Sequence, residues 1–366
     1  MAKLVKAAAL LVGTLLGSAV MAQDAKVPEG YPADYSKMIE ASRTEKGLLI
    51  YSNLSPANWK PILEGFKGKY PWIGVETLDI SSGTIHTRWQ AESASNARTA
   101  DILVSAAIEH WIGHGTKGEM TEYDSPELKN LPDFAREYNS VFVMSTDPVI
   151  MTYNAKLLPE NMRPTGFASL ADLAQKNPGV FKGKITTYEP RNSFGQATWW
   201  TVMNKMGEPG WEILSKLGPS LRVEQTGGAM NEKIATGEYV VGVAVSGITI
   251  FPRLSKPGGD LIGVTFPDDG TPLMFRAIGV PTKAANPNSA KLLLDYVLSK
   301  EGQELLAKGG LTPYHPGVDA KSVPYYTYES IKEKVGAENV INITFNKKLL
   351  DETETFIKRW DLAVKK

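Results

Sequence analysis

The chain has 366 residues, with 40 Lys+Arg against 40 Asp+Glu and no Cys. At ~150 residues per domain, that length suits two domains rather than one. Zero net charge argues against a protein built to bind nucleic acid, which needs a basic excess, and the lack of Cys removes disulfides, thiolate metal sites, iron–sulfur clusters and Cys nucleophiles.

The first element reads as a leader. Lys3 and Lys6 precede an apolar run over residues 7–16, and Val20 and Ala22 suit a cut after Ala22. Residues 1–22 are expected to be a signal peptide, since the run is short for a span of ~20 residues. No Cys stands at the cut to carry a lipid. The mature chain is expected to be soluble outside the cytoplasmic membrane.

Residues 48–51 form an apolar run of the buried-strand type. Ser55 and Pro56 predict a helix start, and Trp59, Ile62, Leu63 and Phe66 then recur at helical spacing. Residues 73–80 predict a second strand, followed by Ser81-Ser82-Gly83-Thr84 and a helix with Ile85 and Trp89 inward. Residues 100–104 predict a third strand and 108–115 a third helix. Such alternation predicts a parallel sheet covered on both faces. Further on, 141–144 and 149–153 read as two separate strands. Helices are expected at 199–206 and 211–217, and strands at 239–245, 261–266 and 273–280. Helices follow at 289–298 and 299–306, and one final helix at 347–363.

Several chemistries have no motif here. There is no Gly-x-Gly-x-x-Gly, no Walker loop and no Gly-x-Ser-x-Gly. His110 and His114 stand four apart on a predicted helix, but Trp111-Ile112-Gly113 between them lacks the Glu of a zinc protease. They read as solvent-side groups near a helix end, and His86 and His315 read as isolated. No catalytic residue, metal site or cofactor is expected.

The stretches GLLIYSNL (47–54), SSGTIHTRWQAE (81–92), ADILVSA (100–106), VIMTYN (149–154), PTGFASLADLA (164–174), FKGKI (181–185), GEYVVGVAVS (237–246) and ANPNSAKLLLDYVLSKEGQELLAKGG (285–310) come in a telling order. With them the chain resembles a solute-binding protein of a bacterial ABC importer. It is most similar to the iron(III)-type branch, which also holds binders of phosphonates, sugar phosphates, thiamine and polyamines. The resemblance implies an α/β, two-lobed periplasmic binding protein fold (type II-like) with parallel or mixed sheets and hinge strands. Crossings are expected near 146–153 and 266–277. Lobe 1 would hold 34–147 and 275–320, lobe 2 would hold 148–274, and 321–366 would pack across the outside. The implied partners are a small ligand and a membrane permease, with the receptor itself a monomer and not an enzyme.

In open α/β sheets ligands lie beyond the carboxyl ends of the strands. That singles out Ser52 and Asn53; Ser82, Gly83 and Thr84; Arg191, Asn192 and Ser193; and, in later loops, Gly228 and Ser246. Helix starts offer unpaired N–H groups to an anion, and Arg191 suits a bidentate clamp. A phosphate, phosphonate or carboxylate ligand is expected. Ser82 and Thr84 also read as simple helix caps, and Arg88 as a partner of Asp101 or Glu92. Of Trp199 and Trp200 at most one would face the cleft. Ferric binders of this branch carry adjacent Tyr residues soon after the strand matched by 237–245. Here that place reads Ser246-Gly247-Ile248-Thr249-Ile250, and the pair Tyr325-Tyr326 falls in the tail. A metal receptor and an exported hydrolase using Glu189 are the alternative readings.

Overall fold

The computed structural model describes residues 26–365. The leader expected over 1–22, with its cut after Ala22, lies outside the described residues. Among the described residues no helix is long and apolar enough to cross a membrane.

The chain opens with α1 (Tyr35–Ser42), β1 (Leu48–Ser52), α2 (Pro56–Lys69), β2 (Val75–Asp79), α3 (Ser82–Ala94), β3 (Ile102–Ser105) and α4 (Ile108–Lys117). Local chemistry fixes the helix starts. Ser55 and Asn58 form a capping box at α2, with Pro56 in its first turn. β1 pairs in parallel with β2 and β3. Neighbouring residues on these strands alternate between two cores. Ile50 and Ile102 face one, with Trp59, Ile62 and Phe66 of α2. Tyr51 and Leu103 face the other, with Ile85, Trp89 and Trp111.

Then come β4 (Arg136–Glu137), β5 (Val141–Asn154), α5 (Phe167–Lys176), α6 (Pro178–Phe181), β6 (Ile185–Tyr188), α7 (Ser193–Met206), α8 (Glu208–Leu217), β7 (Leu221–Glu224), α9 (Gly227–Thr236), β8 (Val241–Ser246) and α10 (Phe251–Leu254). The chain finishes with β9 (Ile262–Thr265), β10 (Thr271–Gly279), α11 (Pro287–Leu298), α12 (Lys300–Lys308), α13 (Tyr328–Val335), β11 (Val340–Ile343), α14 (Lys348–Asp351) and α15 (Thr353–Val364). The main path of strands runs β2-β1-β3-β10-β5-β8-β6-β7. β10 is antiparallel to β3 and β5, while β6 is parallel to β7 and β8, so the sheet is mixed.

The two strands read at 141–144 and 149–153 are one, β5. Its first half pairs with β10 up to Pro148↔Leu273, and its second half pairs with β8 from Val149↔Ser246. The polar stretch between them is not a loop because its charge is paired. Arg276 on β10 donates from Nε to Asp147 Oδ2 at 2.9 Å, and each side chain is 1% exposed. Pro148, which lacks an N–H, sits where the strand changes partners.

The tail also departs from expectation. β11 was not foreseen, and it pairs in parallel with β10. The helix expected over 347–363 is two, α14 and α15, broken at Glu352, whose carboxylate accepts the Trp200 indole N–H at 3.0 Å.

Two stability predictions follow from buried charge. Replacing Arg276 alone by Met should cost on the order of 3–5 kcal/mol in urea unfolding, because Asp147 is left buried and unpaired. A double Asp147→Leu, Arg276→Met variant should recover most of that loss. The second concerns Asp295 on α11, whose Oδ2 accepts the phenols of Tyr35 and Tyr123 at 2.7 Å each. Burial lifts its carboxyl to about 6, against the opposing hydrogen bonds. The folded chain therefore holds this proton more tightly than the unfolded chain, so the stabilisation is full in acid and is lost as pH rises through that value. Between about pH 4 and about pH 7, Asp295→Asn should remove a decline on the order of 3 kcal/mol, read as the difference between wild-type and variant unfolding curves.

Candidate functional site

Arg276 stands on β10 beside Asp147, close to where β5 passes from pairing with β10 to pairing with β8. Its Nη1 donates to Asn53 Oδ1 at 2.6 Å, just past the end of β1. Asn53 Nδ2 in turn donates to Ser82 Oγ at 2.8 Å, at the first residue of α3. Arg276 Nη2 makes no hydrogen bond among the described residues. Asp147 is held on its other oxygen by the Thr312 N–H at 3.2 Å. Burial pushes the Asp147 carboxyl up, and Arg276 and that N–H oppose the rise.

From the other half of the sheet, Tyr188 closes β6 and brings its phenol to the same region. The phenol oxygen packs on Gly227 at the start of α9, where a Cβ would lie 2.5 Å from it. The backbone N–H groups of Gly227 and Ser246 face it, and the charge of Arg276 acts on it. Burial is the largest influence and pushes the phenol up, which favours its neutral form. The arrangement therefore gathers a guanidinium, a neutral phenol, an amide, a hydroxyl and helix N–H groups. That donor-rich set suits a ligand with several acceptor oxygens.

The expected site residues separate into groups. Asn53 and Ser82 are joined by a hydrogen bond and tied to Arg276. Gly83 is part-exposed, and a Cβ there would meet open space. Thr84 is exposed and shares a 2.6 Å contact with Ser81 Oγ. The cap of α3 is Ser81, not Ser82 or Thr84. Asn192 caps α7, its Oδ1 accepting the Gly195 N–H at 2.7 Å, and Ser193 opens that helix part-exposed. Gly228 is exposed on α9, and Ser246 is buried at the end of β8.

Two members of the expected set are occupied elsewhere. Ser52 is fully buried, and its hydroxyl accepts the Trp59 indole N–H at 2.8 Å. Arg191 is tied to the tail: Nη2 donates to both oxygens of Asp361 on α15 at 2.8 and 2.7 Å, and Nη1 to Glu189 at 3.1 Å. Its charge is already paired. Glu189, the acid considered for a hydrolase, takes part in the same pairing. Arg88 pairs with Glu92 at 2.7 Å. Trp199 and Trp200 are both buried, bonded to Thr187 and Glu352.

The histidine readings need correction. His114 is not solvent-side and His86 is not isolated, for both are buried and 2.8 Å apart. Tyr325 and Tyr326 both pack on Phe251, and Tyr326 also on Phe266. Arg276, Asp147 and Tyr188 were missed. A lone Arg within the apolar run of β10 was the available signal, matched by a lone Asp in β5.

Several solved structures share this architecture. The substrate binding protein of an ABC transporter from Agrobacterium tumefaciens has a TM-score of 0.79 and 23% identity, covering 88% of this chain and 95% of that one. The periplasmic binding protein AfuA from Actinobacillus pleuropneumoniae, solved with fructose-6-phosphate, has a TM-score of 0.64 and 20% identity, covering 85% and 98%. Iron-bound HitA from Pseudomonas aeruginosa has a TM-score of 0.66 and 16% identity, covering 84% and 98%. These likenesses establish the two-lobed fold. The family described as bacterial extracellular solute-binding protein matches residues 62–332, well over half of the sequence. The chain belongs to that family, whose members serve as the solute-binding components of ABC transporters.

Proposed function

We propose that the mature chain is a monomeric periplasmic receptor, freed by a cut after Ala22. It captures a small anionic organic solute and presents it to its own ABC permease without turning it over. In this reading lobe 1 holds 34–147 and 275–320, lobe 2 holds 148–274, and 321–366 braces the outside. The observation that carries it is Arg276, buried where the hinge strands cross and bonded to Asn53, which holds Ser82. An anion approaching Arg276 Nη2 meets Ser82 and the start of α3 on one side. On the other it meets Tyr188 and the start of α9. Ser193, Gly228 and Ser246 complete the lobe 2 rim.

Closure supplies the affinity. A single lobe leaves half of the anion's oxygens to water. Two lobes pair them all in a gap where charge-assisted bonds are stronger. A dissociation constant near ~1 μM needs only ~8 kcal/mol after the costs of association.

Solved relatives include a protein bound to iron and another bound to fructose-6-phosphate. The donor set favours the second kind: Arg276, Asn53 and Ser82 offer a charge and hydrogen-bond donors to acceptor oxygens, and the segment after β8, Ser246-Gly247-Ile248-Thr249-Ile250, brings no phenol.

A melting screen tests the proposal, using sugar phosphates, phosphonates, organic carboxylates, ferric citrate and polyamines. A matching anion at a hundred times its Kd should stabilise the chain by about 2.7 kcal/mol. Ser82→Ala should weaken that anion at least about fivefold, the loss of one hydrogen bond to a charged group. Arg191→Ala should leave its affinity unchanged, since Arg191 is bound to Asp361. A response to ferric ion or polyamine alone would overturn the reading.

A further inference from the structure

A second polar network lies where α3 and α4 cover the β1–β3 part of the sheet, and the binding reading does not use it. His86 on α3 is buried against Ser105 at the end of β3 and His114 on α4. Ser105 Oγ to His86 Nε2 is 2.7 Å, and His86 Nδ1 to His114 Nε2 is 2.8 Å. His114 Nδ1 to Glu119 Oε2 is 2.6 Å.

The proton order follows from the donors around Ser105. Its oxygen accepts the Trp111 indole N–H at 2.9 Å and the Ala107 N–H at 3.2 Å. Both acceptor sites are used, so its single proton goes to His86 Nε2. His86 must then carry its proton on Nδ1 and give it to His114 Nε2. His114 likewise carries its proton on Nδ1 and gives it to Glu119. The chain closes only if both rings are neutral and both are Nδ1–H tautomers.

Neighbouring rings hold this order in place. His110 stacks on His86 with centroids 4.6 Å apart and planes 11° apart, while Trp111 meets His86 edge-on and Trp89 meets His114 edge-on. The charges in reach are few. α4 brings Glu109, His110 and Lys117, and the segment after it brings Glu119. α3's own pair, Arg88 and Glu92, is engaged with Tyr51. From β3 comes only the Ser105 hydroxyl, and Lys205 of α7 is exposed. An extra proton on either ring sets two donors face to face and breaks a link.

We infer that Ser105, His86, His114 and Glu119 form an acid-sensitive latch that positions α3 and, with it, Ser82 at the edge of the cleft. His86 lies one turn after Ser82 on α3, and Ser82 is bonded through Asn53 to Arg276. These are positioning residues. Burial lowers the proton affinity of both rings. The latch is therefore whole above the ordinary imidazole range and is lost as pH falls below it. Its effect on a solute rests on the proposed cleft, but the latch itself is read on the unliganded chain.

The test is nitrogen-15 NMR of the histidine rings and amide exchange along α3, both followed against pH. At neutral pH both rings should show protonated Nδ1 and bare Nε2. Both rings should take protons below the free imidazole value, His86 well below it, and the α3 amides near His86 should lose protection by about tenfold or more in the same step. Glu119→Gln should move that step to lower pH, because the carboxylate favours the charged ring of His114. Two results would overturn the inference. One is an Nε2–H tautomer on either ring in the neutral chain. The other is ring titration that leaves α3 protection unchanged. Either result leaves the anion screen unaffected, so the two proposals fail separately.

Discussion

A guanidinium and a carboxylate, shut away from water between two paired antiparallel strands, organise this molecule. Neither Arg276 nor Asp147 is tolerable in that place alone, because a buried unpaired charge costs several kcal/mol. Their pairing lets the polar middle of β5 stay in register beside β10 instead of looping out. It also aims the remaining guanidinium nitrogens. Nη1 reaches Asn53 and, through it, Ser82, so the pair that joins β5 to β10 also fixes the end of β1 and the start of α3.

The tail works on the opposite side. β11 lengthens the sheet beside β10, and α15 lays Trp360 against Trp199 and Phe356 against Trp211. Arg191 joins the same brace through Asp361, and Glu352 holds the Trp200 indole. These contacts fix α7 from behind. Its start, at Asn192 and Ser193, thus has a rigid support although it opens from a loop. Loops that bind ligands are commonly carried on such a scaffold.

Much of the fold was legible in the residues. Short apolar runs marked β1, β3 and β8, and Ser55-Pro56 marked the start of α2, because these signals are local. The site was less so. Ser145-Thr146-Asp147-Pro148 has the composition of a turn, and only a partner 129 residues away makes it a strand. Arg191 looked free because Asp361 stands 170 residues later. The histidine network draws on positions 86, 105, 114 and 119, which share no periodicity. Asn53, Ser82 and Gly83 were singled out because strand-end loops are a rule of topology that needs no partner, and the structure ties Asn53 and Ser82 to Arg276. Tyr188 ended a foreseen strand, but nothing local shows that its phenol lies against Gly227 at the start of α9.

The central claim is that the crossing strands grip negative charge. Mass spectrometry of the small molecule released when the purified protein is denatured addresses it most directly. The account calls for an acidic organic compound, phosphorylated or carboxylated, present in near-stoichiometric amount. A ferric ion or an organic cation in its place, with no acidic compound beside it, would contradict the account.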